Sequence, residues 1–222
     1  MTTGGPRADL ILPCRDEAPA LQELLPRVPS DLRVIVVDNG SGDGTADVAA
    51  RLGATVVSEA EPGYGAAVAA GLAAADGDLV AFMDGDGSFD PTELLPLVDA
   101  VASGAADMAA GRRRPVRRGT WPWHARAGNS LVVRWLRRRT GFPLHDLPAM
   151  RVCRRDALVA LDVRDRRFGY PVELMRSAVA AGWTFAEYDV RYLPRAEGTR
   201  SKVSGSVVGT VRTARDFYRV LS

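Results

Sequence analysis

Cysteine is scarce in this sequence. Among 222 residues only Cys14 and Cys153 carry a thiol, which excludes a disulfide framework and a zinc ligand set. Both are expected to be reduced, as in a cytosolic protein. Histidine is equally rare: His124 and His145 stand apart, without triad or metal-ligand spacing, and are expected to be structural. No window reaches the roughly 18 uninterrupted apolar residues of a spanning helix. Met1 to Asp9 is small, polar and broken by Gly4, Gly5 and Pro6, without the basic and apolar regions of a signal peptide. A soluble chain is the expectation. An excess of one charge is also lacking, since 29 Lys and Arg face 27 Asp and Glu. The net +2 does not by itself indicate a partner. With 46% hydrophobic and 25% charged residues the chain is no disordered, collagen-like or disulfide-scaffold protein. Its length suits one domain with a substantial core. No internal repeat and no linker divides it.

What is present is an alternation. Short apolar runs at Ala8 to Leu12, Leu32 to Val37, Ala54 to Ser58 and Leu79 to Met83 read as strands, with a fifth over Met108 to Ala110. Helical stretches over Leu21 to Val28, Thr45 to Leu52, Ala66 to Ala75 and Pro91 to Ala102 lie between them. Nearly all-apolar strands alternating with helices predict an α/β fold with a parallel sheet covered on both faces. Ligands bind such sheets outside the carboxyl ends of the strands. That edge carries Pro13 to Glu17, Asp38 to Asp43, and Asp84 to Asp86. Three acid-bearing loops therefore converge on one edge.

From Arg112 the composition changes. Ten arginines fall between Arg112 and Arg139, interleaved with Trp121, Trp123 and Trp135. They form a solvated basic face, a dock for anionic lipid headgroups, or a nucleic-acid surface. Helices are predicted near Arg155 to Leu161, over Pro171 to Ala181 and over Val203 to Leu221, with a strand near Phe185 to Tyr192.

Each motif has a bland reading beside a chemical one. Alternate residues at a strand end point the same way, so Asp84 and Asp86 can face one divalent cation. Gly85 between them lets a phosphate approach the backbone. An Asp-Gly turn is the bland alternative. Asp38 to Asp43 (DNGSGD) can accept hydrogen bonds from a base or ribose, or close an Asx turn that caps the next helix. Gly63 to Ala67 (GYGAA) precedes a helix whose amides can face an anion. The dinucleotide pattern G-x-G-x-x-G does not fit, because Val68 fills the third glycine's place.

Taken in order, LPCRDEAPAL, VIVVDNGSGDGTADVA, PGYGAAVAAGLAAADGDLVAFMDGDGSFDP, FGYPVEL and GTRSKVSGS resemble the nucleotide-diphospho-sugar transferases of glycosyltransferase family 2. The likeness runs from about Leu10 to Ser206 and is greatest to the dolichyl- or polyprenyl-phosphate mannosyl- and glucosyltransferases. It implies the GT-A fold: a Rossmann-like, mostly parallel sheet flanked by helices, with a C-terminal acceptor-side lobe. A single domain is expected, with a nucleotide-sugar half over about 8–111, an acceptor half over about 112–206 and a C-terminal helix over about 203–221. By the same resemblance Pro13, Arg15 and Glu17 match a nucleotide-contacting loop, and Val36 and Asp38 match the loop that holds the base. Asp84, Gly85 and Asp86 match a metal and diphosphate motif that takes Mg²⁺ or Mn²⁺. Arg113, or Arg112 beside it, matches a phosphate-binding arginine, and Arg126 an acceptor-phosphate arginine. Arg195 and Lys202 match a basic pair that closes over the phosphates.

The chemistry agrees with these assignments. Sugar transfer from a UDP-, GDP- or TDP-linked donor releases a diphosphate whose growing charge a cation and arginines stabilise. A polyprenyl phosphate acceptor is already an anionic nucleophile, and arginines would hold it. A hydroxyl acceptor would need a carboxylate base, for which Glu173 and Asp146 are the candidates. The expectation is a metal-dependent, inverting transfer of a hexose to a polyprenyl phosphate, the inversion being implied by the resemblance alone. The chain would be cytoplasmic and touch the cytoplasmic membrane face peripherally. A small hydroxylated acceptor, a nucleotidyltransferase and a nucleic-acid-binding module built on the arginine tract are the alternatives. The last leaves the acidic loops unexplained, and no nucleic-acid partner is expected.

Overall fold

Short, mostly apolar runs suit strands of a sheet covered on both faces, and the computed structural model, which describes residues 6–196, is arranged in that way. The strands β1 (Ala8–Cys14), β2 (Leu32–Asp38), β3 (Thr55–Ser58) and β4 (Leu79–Phe82) pair in parallel. Between them run the helices α1 (Ala18–Leu24), α2 (Thr45–Arg51) and α3 (Tyr64–Ala74). The chain continues through α4 (Leu95–Ala102), β5 (Met108–Pro115), α5 (Trp123–Thr140), β6 (Arg151–Arg154), α6 (Arg155–Ala160), α7 (Tyr170–Ala180) and β7 (Phe185–Tyr192). The seven strands form one sheet in the order β3-β2-β1-β4-β6-β5-β7. Among the described strands only β6 runs antiparallel to its neighbours. The mostly parallel α/β architecture is the expected one.

Strand alternation divides the core into two layers. Leu10, Leu12, Val36 and Ala81 pack with α1, α2 and α4, and Ile11, Ile35, Val37, Val80 and Phe82 pack with α3, α5 and α7. Several boundaries differ from the sequence reading. β1 continues through Pro13, because β4 pairs with β1 only as far as Ile11 and no ladder bond is needed on that side. β5 extends from Ala110 through the arginines to Pro115, because β7 pairs with it along its whole length. The strand β6 was not predicted, since four residues with arginine at both ends have no alternating pattern. The second half of the arginine tract is an 18-residue helix, ended by Gly141 at φ 72°. The predicted C-terminal helix lies outside the described residues.

Gly63 and Gly65 serve packing, and the amides at the start of α3 are engaged within the chain. The Gly65 amide donates to Arg167 O at 3.1 Å and the Ala66 amide to Arg166 O at 2.8 Å. Gly63 donates to Asn39 Oδ1 at 2.9 Å. A Cβ on Gly65 would stand 2.1 Å from the Asp165 carbonyl oxygen. Gly65→Ala is therefore expected to lower the unfolding free energy by about 3 kcal/mol, read as a lower urea midpoint. An unchanged midpoint would contradict the close approach.

Candidate active site

The carboxyl ends of β1, β2 and β4 form the expected edge. Cys14 and Asp38 are in register, and Asp84 follows β4 by two residues. Hydrogen bonds stitch the first two loops together. Asp16 N donates to Ser41 Oγ (2.9 Å), Gly42 N to Asp16 Oδ1 (2.9 Å) and Ala18 N to Asp43 Oδ2 (3.0 Å). Asp43 Oδ1 accepts from Thr45 N (3.0 Å), and Asp38 Oδ1 from Ser41 N (3.2 Å). Much of DNGSGD is thus the Asx-type capping that the bland reading described. Pro13 and Asp38 remain half-buried, Arg15 exposed and Glu17 buried at this edge.

Val36 is a correction. It lies two residues inside the strand end, is 0% exposed and packs in the core, so its side chain cannot meet a base.

Asp84 and Asp86 sit at the centre of the edge. Burial, followed by the charge of Asp86, pushes the Asp84 carboxyl up to about 6, while Arg195, Arg113 and Arg151 pull it down. Asp86 is 6% exposed. Its Oδ1 accepts from Ser88 N (3.0 Å), and its Oδ2 is ion-paired with Arg195 Nε. The segment that carries Arg195 is docked on this loop by Leu193 N to Ser88 O (2.9 Å) and Ala196 N to Asp86 O (3.1 Å). Gly85 leaves room for Cys14, whose Sγ would be 2.4 Å from an added Cβ. Burial pushes the Cys14 thiol far up and the Cys153 thiol to about 12, so both are inert packing groups.

The pair Arg112/Arg113 is resolved by strand alternation. Arg113 points to the side on which it feels the Asp84 charge. Its Nε and Nη2 form a fork on Asp146 at 2.9 and 2.6 Å. Nη2 also reaches Asn129 Oδ1 at 3.2 Å, and the guanidinium lies 4.0 Å over the Trp121 ring. Asp146 additionally accepts from Arg113 N at 2.9 Å. Both carboxylates considered as bases are thereby engaged. Asp146 orients Arg113, and Glu173 holds the amides of Arg164 (3.1 Å) and Asp165 (2.7 Å). Arg126 is exposed on α5, one turn before Asn129, and no described residue pairs with its guanidinium. Lys202 lies outside the described residues.

Arg151 was missed by sequence reading. It opens β6 opposite Phe82 and is 0% exposed. Nη1 donates to Tyr64 Oη and Pro148 O, both at 3.2 Å, while Nε and Nη2 have no hydrogen-bond partner among the described residues. Phe82 lies 4.6 Å from the guanidinium, and Tyr64 and Tyr170 lie 6.0 Å away. An always-charged group in an aromatic cage behind an acid pair adds fixed positive potential to the edge. The only signal in the sequence was one charge inside the apolar run Ala149 to Cys153.

Two carboxylates, Asp84 and Asp86, thus stand at this edge within reach of the charges of Arg113, Arg151 and Arg195. The family model for glycosyl transferase family 2 matches residues 9–161. The chain belongs to glycosyl transferase family 2. It is a glycosyltransferase, and its sheet is that of the GT-A fold. An uncharacterized glycosyltransferase of Mycobacterium tuberculosis is 50% identical over 219 residues, covering 98% of this chain and 99% of that protein. The polyprenol monophosphomannose synthase of Mycolicibacterium smegmatis is 31% identical over 220 residues, covering 90% of this chain and 82% of the synthase. Among solved structures, glucosyl-3-phosphoglycerate synthase from Mycobacterium tuberculosis, in complex with Mn²⁺ and UDP-glucose, superposes with a TM-score of 0.76 at 22% identity, over 98% of this chain and 78% of that one.

Proposed function

We propose that this glycosyltransferase moves a hexose from a nucleotide-sugar to a polyprenyl phosphate, with Mg²⁺ or Mn²⁺ at Asp84 and Asp86 and with inversion at the sugar. The observation that carries the reading is the acid pair at the strand ends, Asp86 buried and Asp84 half-buried, ringed by Arg113, Arg151 and Arg195. Two carboxylates are a hard oxygen donor set. No third His, Cys, Asp or Glu joins them among the described residues, which suits an ion that completes its shell with water and substrate phosphates. Such an ion would act as a Lewis acid on the departing diphosphate. Arg195 then has two anionic partners to choose between, Asp86 and the diphosphate. Pro13, Arg15, Glu17 and Asp38 would line the nucleoside side, with Gly85 beneath the diphosphate. Arg113, held flat by Asp146, would face a phosphate, and Arg126 and Lys202 would contribute to the acceptor side.

The engagement of Asp146 and Glu173 favours an acceptor that needs no general base. A phosphate is such an acceptor, and the polyprenol monophosphomannose synthase, at 31% identity, carries the likeness toward a lipid phosphate. A soluble phosphate-bearing acceptor is the second reading, because the glucosyl-3-phosphoglycerate synthase neighbour was also crystallised with phosphoglyceric acid. No described helix is long and apolar enough to cross a membrane, so a lipid acceptor would be met at the cytoplasmic membrane face by peripheral contact.

Thermal unfolding against UDP, GDP, TDP and ADP, each with and without Mn²⁺, tests the donor site. One diphosphate at about 100 times its dissociation constant should add about 2.7 kcal/mol, only with metal. No shift with any of them would overturn the donor site. Transfer of labelled sugar to a polyprenyl phosphate, against phosphoglyceric acid, then separates the two acceptors.

A further inference from the structure

The arginine tract is not spread evenly over the molecule. From Met108 to His145 there are ten arginines and no acidic residue, so the chain's net +2 combines +10 here with −8 elsewhere. Arg112 to Arg114 belong to β5, and the other seven lie on α5 or in the segment leading to it. That helix has two unlike faces. Val132, Val133 and Leu136 are buried against the core, and Asn129 on the same side meets Arg113 and the Leu147 amide. The opposite face carries Trp123, Ala127 and Leu131 at successive fourth positions, followed by Arg134 and Arg138. All five are exposed, Trp123 by 80% and Leu131 by 69%. Val116 (47% exposed), Arg117 and Arg118 are likewise exposed, in the segment that leads to the helix.

A solvated basic helix has no use for a tryptophan and a leucine held out into water. An indole and a leucine on the outer line of a helix, with guanidinium groups beside and beyond them, suit the boundary between lipid headgroups and acyl chains. The rings and methyl groups enter the boundary while the arginines meet phosphates. We infer that the outer face of α5, with the Val116–Arg118 segment, is the seat of this enzyme on an anionic bilayer surface. Asn129 and Trp121 join that helix region to Arg113, so the seat and the phosphate-facing arginine are parts of one rigid unit. The seat rests on the proposed function for its purpose, the delivery of a lipid-borne acceptor, and binding to the surface needs neither donor nor acceptor.

Flotation of the full chain with vesicles of equal parts phosphatidylglycerol and phosphatidylcholine, and with phosphatidylcholine alone, tests the seat. Binding is expected to the anionic vesicles, to weaken as salt is raised, and to be at least tenfold weaker on phosphatidylcholine. Arg134→Gln with Arg138→Gln should weaken it about 25-fold, at about fivefold for each arginine near the surface. Trp123→Ser with Leu131→Ser should weaken it about tenfold or more. Brominated lipid should quench tryptophan emission in the parent and not in Trp123→Phe. The serine and glutamine variants change only exposed side chains, and unchanged diphosphate-dependent thermal shifts would show that they retain the fold. Absent or equal binding to both vesicle types, or quenching that survives Trp123→Phe, would overturn the seat. So would tighter binding to a homopolymeric RNA than to anionic vesicles. Transfer to phosphoglyceric acid and not to polyprenyl phosphate would refute the acceptor and leave vesicle binding intact, so the two failures are separable.

Discussion

Asp84→Asn is expected to stabilise the metal-free protein and to disable it. The Asp84 carboxyl is held up at about 6, first by burial and then by the charge of Asp86, whereas the unfolded chain releases that proton near the ordinary 3.8. Below both values the two states are equally protonated and nothing is lost. As pH rises between them the unfolded chain gives up its proton and the folded chain keeps it, so stability falls. Above about pH 6 the deficit is constant, at about 3 kcal/mol. Asparagine cannot ionise and does not carry that deficit. Urea unfolding in EDTA at neutral pH should therefore find Asp84→Asn more stable than the parent by up to about 3 kcal/mol, with the difference shrinking as pH falls and vanishing only well below 3.8. Addition of Mn²⁺ should stabilise the parent and leave the variant unmoved. Sugar transfer should fall about 10²-fold to 10³-fold or more. Equal pH profiles for the two proteins, or metal-dependent stabilisation that survives in the variant, would remove Asp84 from the centre.

Asp146→Asn should have the opposite signature, with losses in both stability and catalysis. Asp146 is buried and takes the Nε and Nη2 of Arg113 in a fork. Arginine cannot discharge itself by losing a proton, so the variant leaves a largely buried cation without its counter-charge. Breaking one side of such a pair costs about 3–5 kcal/mol. Loss of the fork also frees the guanidinium to turn on Trp121, and misplacement of such a group by about 1 Å lowers the rate about 10²-fold. The double variant Arg113→Met with Asp146→Leu separates the two effects. Removal of both charges should recover most of the stability while transfer stays low, because the phosphate contact proposed for Arg113 is lost. Full activity in Asp146→Asn would show that Arg113 needs no orientation.

The legible part of this protein is the part written in local patterns. Apolar runs such as Leu32 to Val37, each followed by a turn-rich acidic loop, revealed the parallel sheet and the edge at which Asp38, Asp84 and Asp86 meet. The helix over Pro171 to Ala181 and the strand over Phe185 to Tyr192 were equally plain. β6 was not, because a four-residue strand beginning with Arg151 shows no period of its own and exists only between β4 and β5. The same holds for the space under Gly65 and Gly85. Those residues answer to Asp165 and Cys14, partners that sequence order does not bring near.

By itself, then, the sequence determined the architecture, the family likeness and the edge that carries the chemistry, since burial, turn geometry and strand alternation depend on residues close along the chain. The tertiary structure alone decided that Arg113 rather than Arg112 faces the acids, that Asp146 and Glu173 are occupied, that Val36 belongs to the core, and that a buried Arg151 lies behind Asp84. Each of those depends on which groups of the folded chain share a low-dielectric space, where a charge is stabilised or stranded by neighbours up to about a hundred residues away.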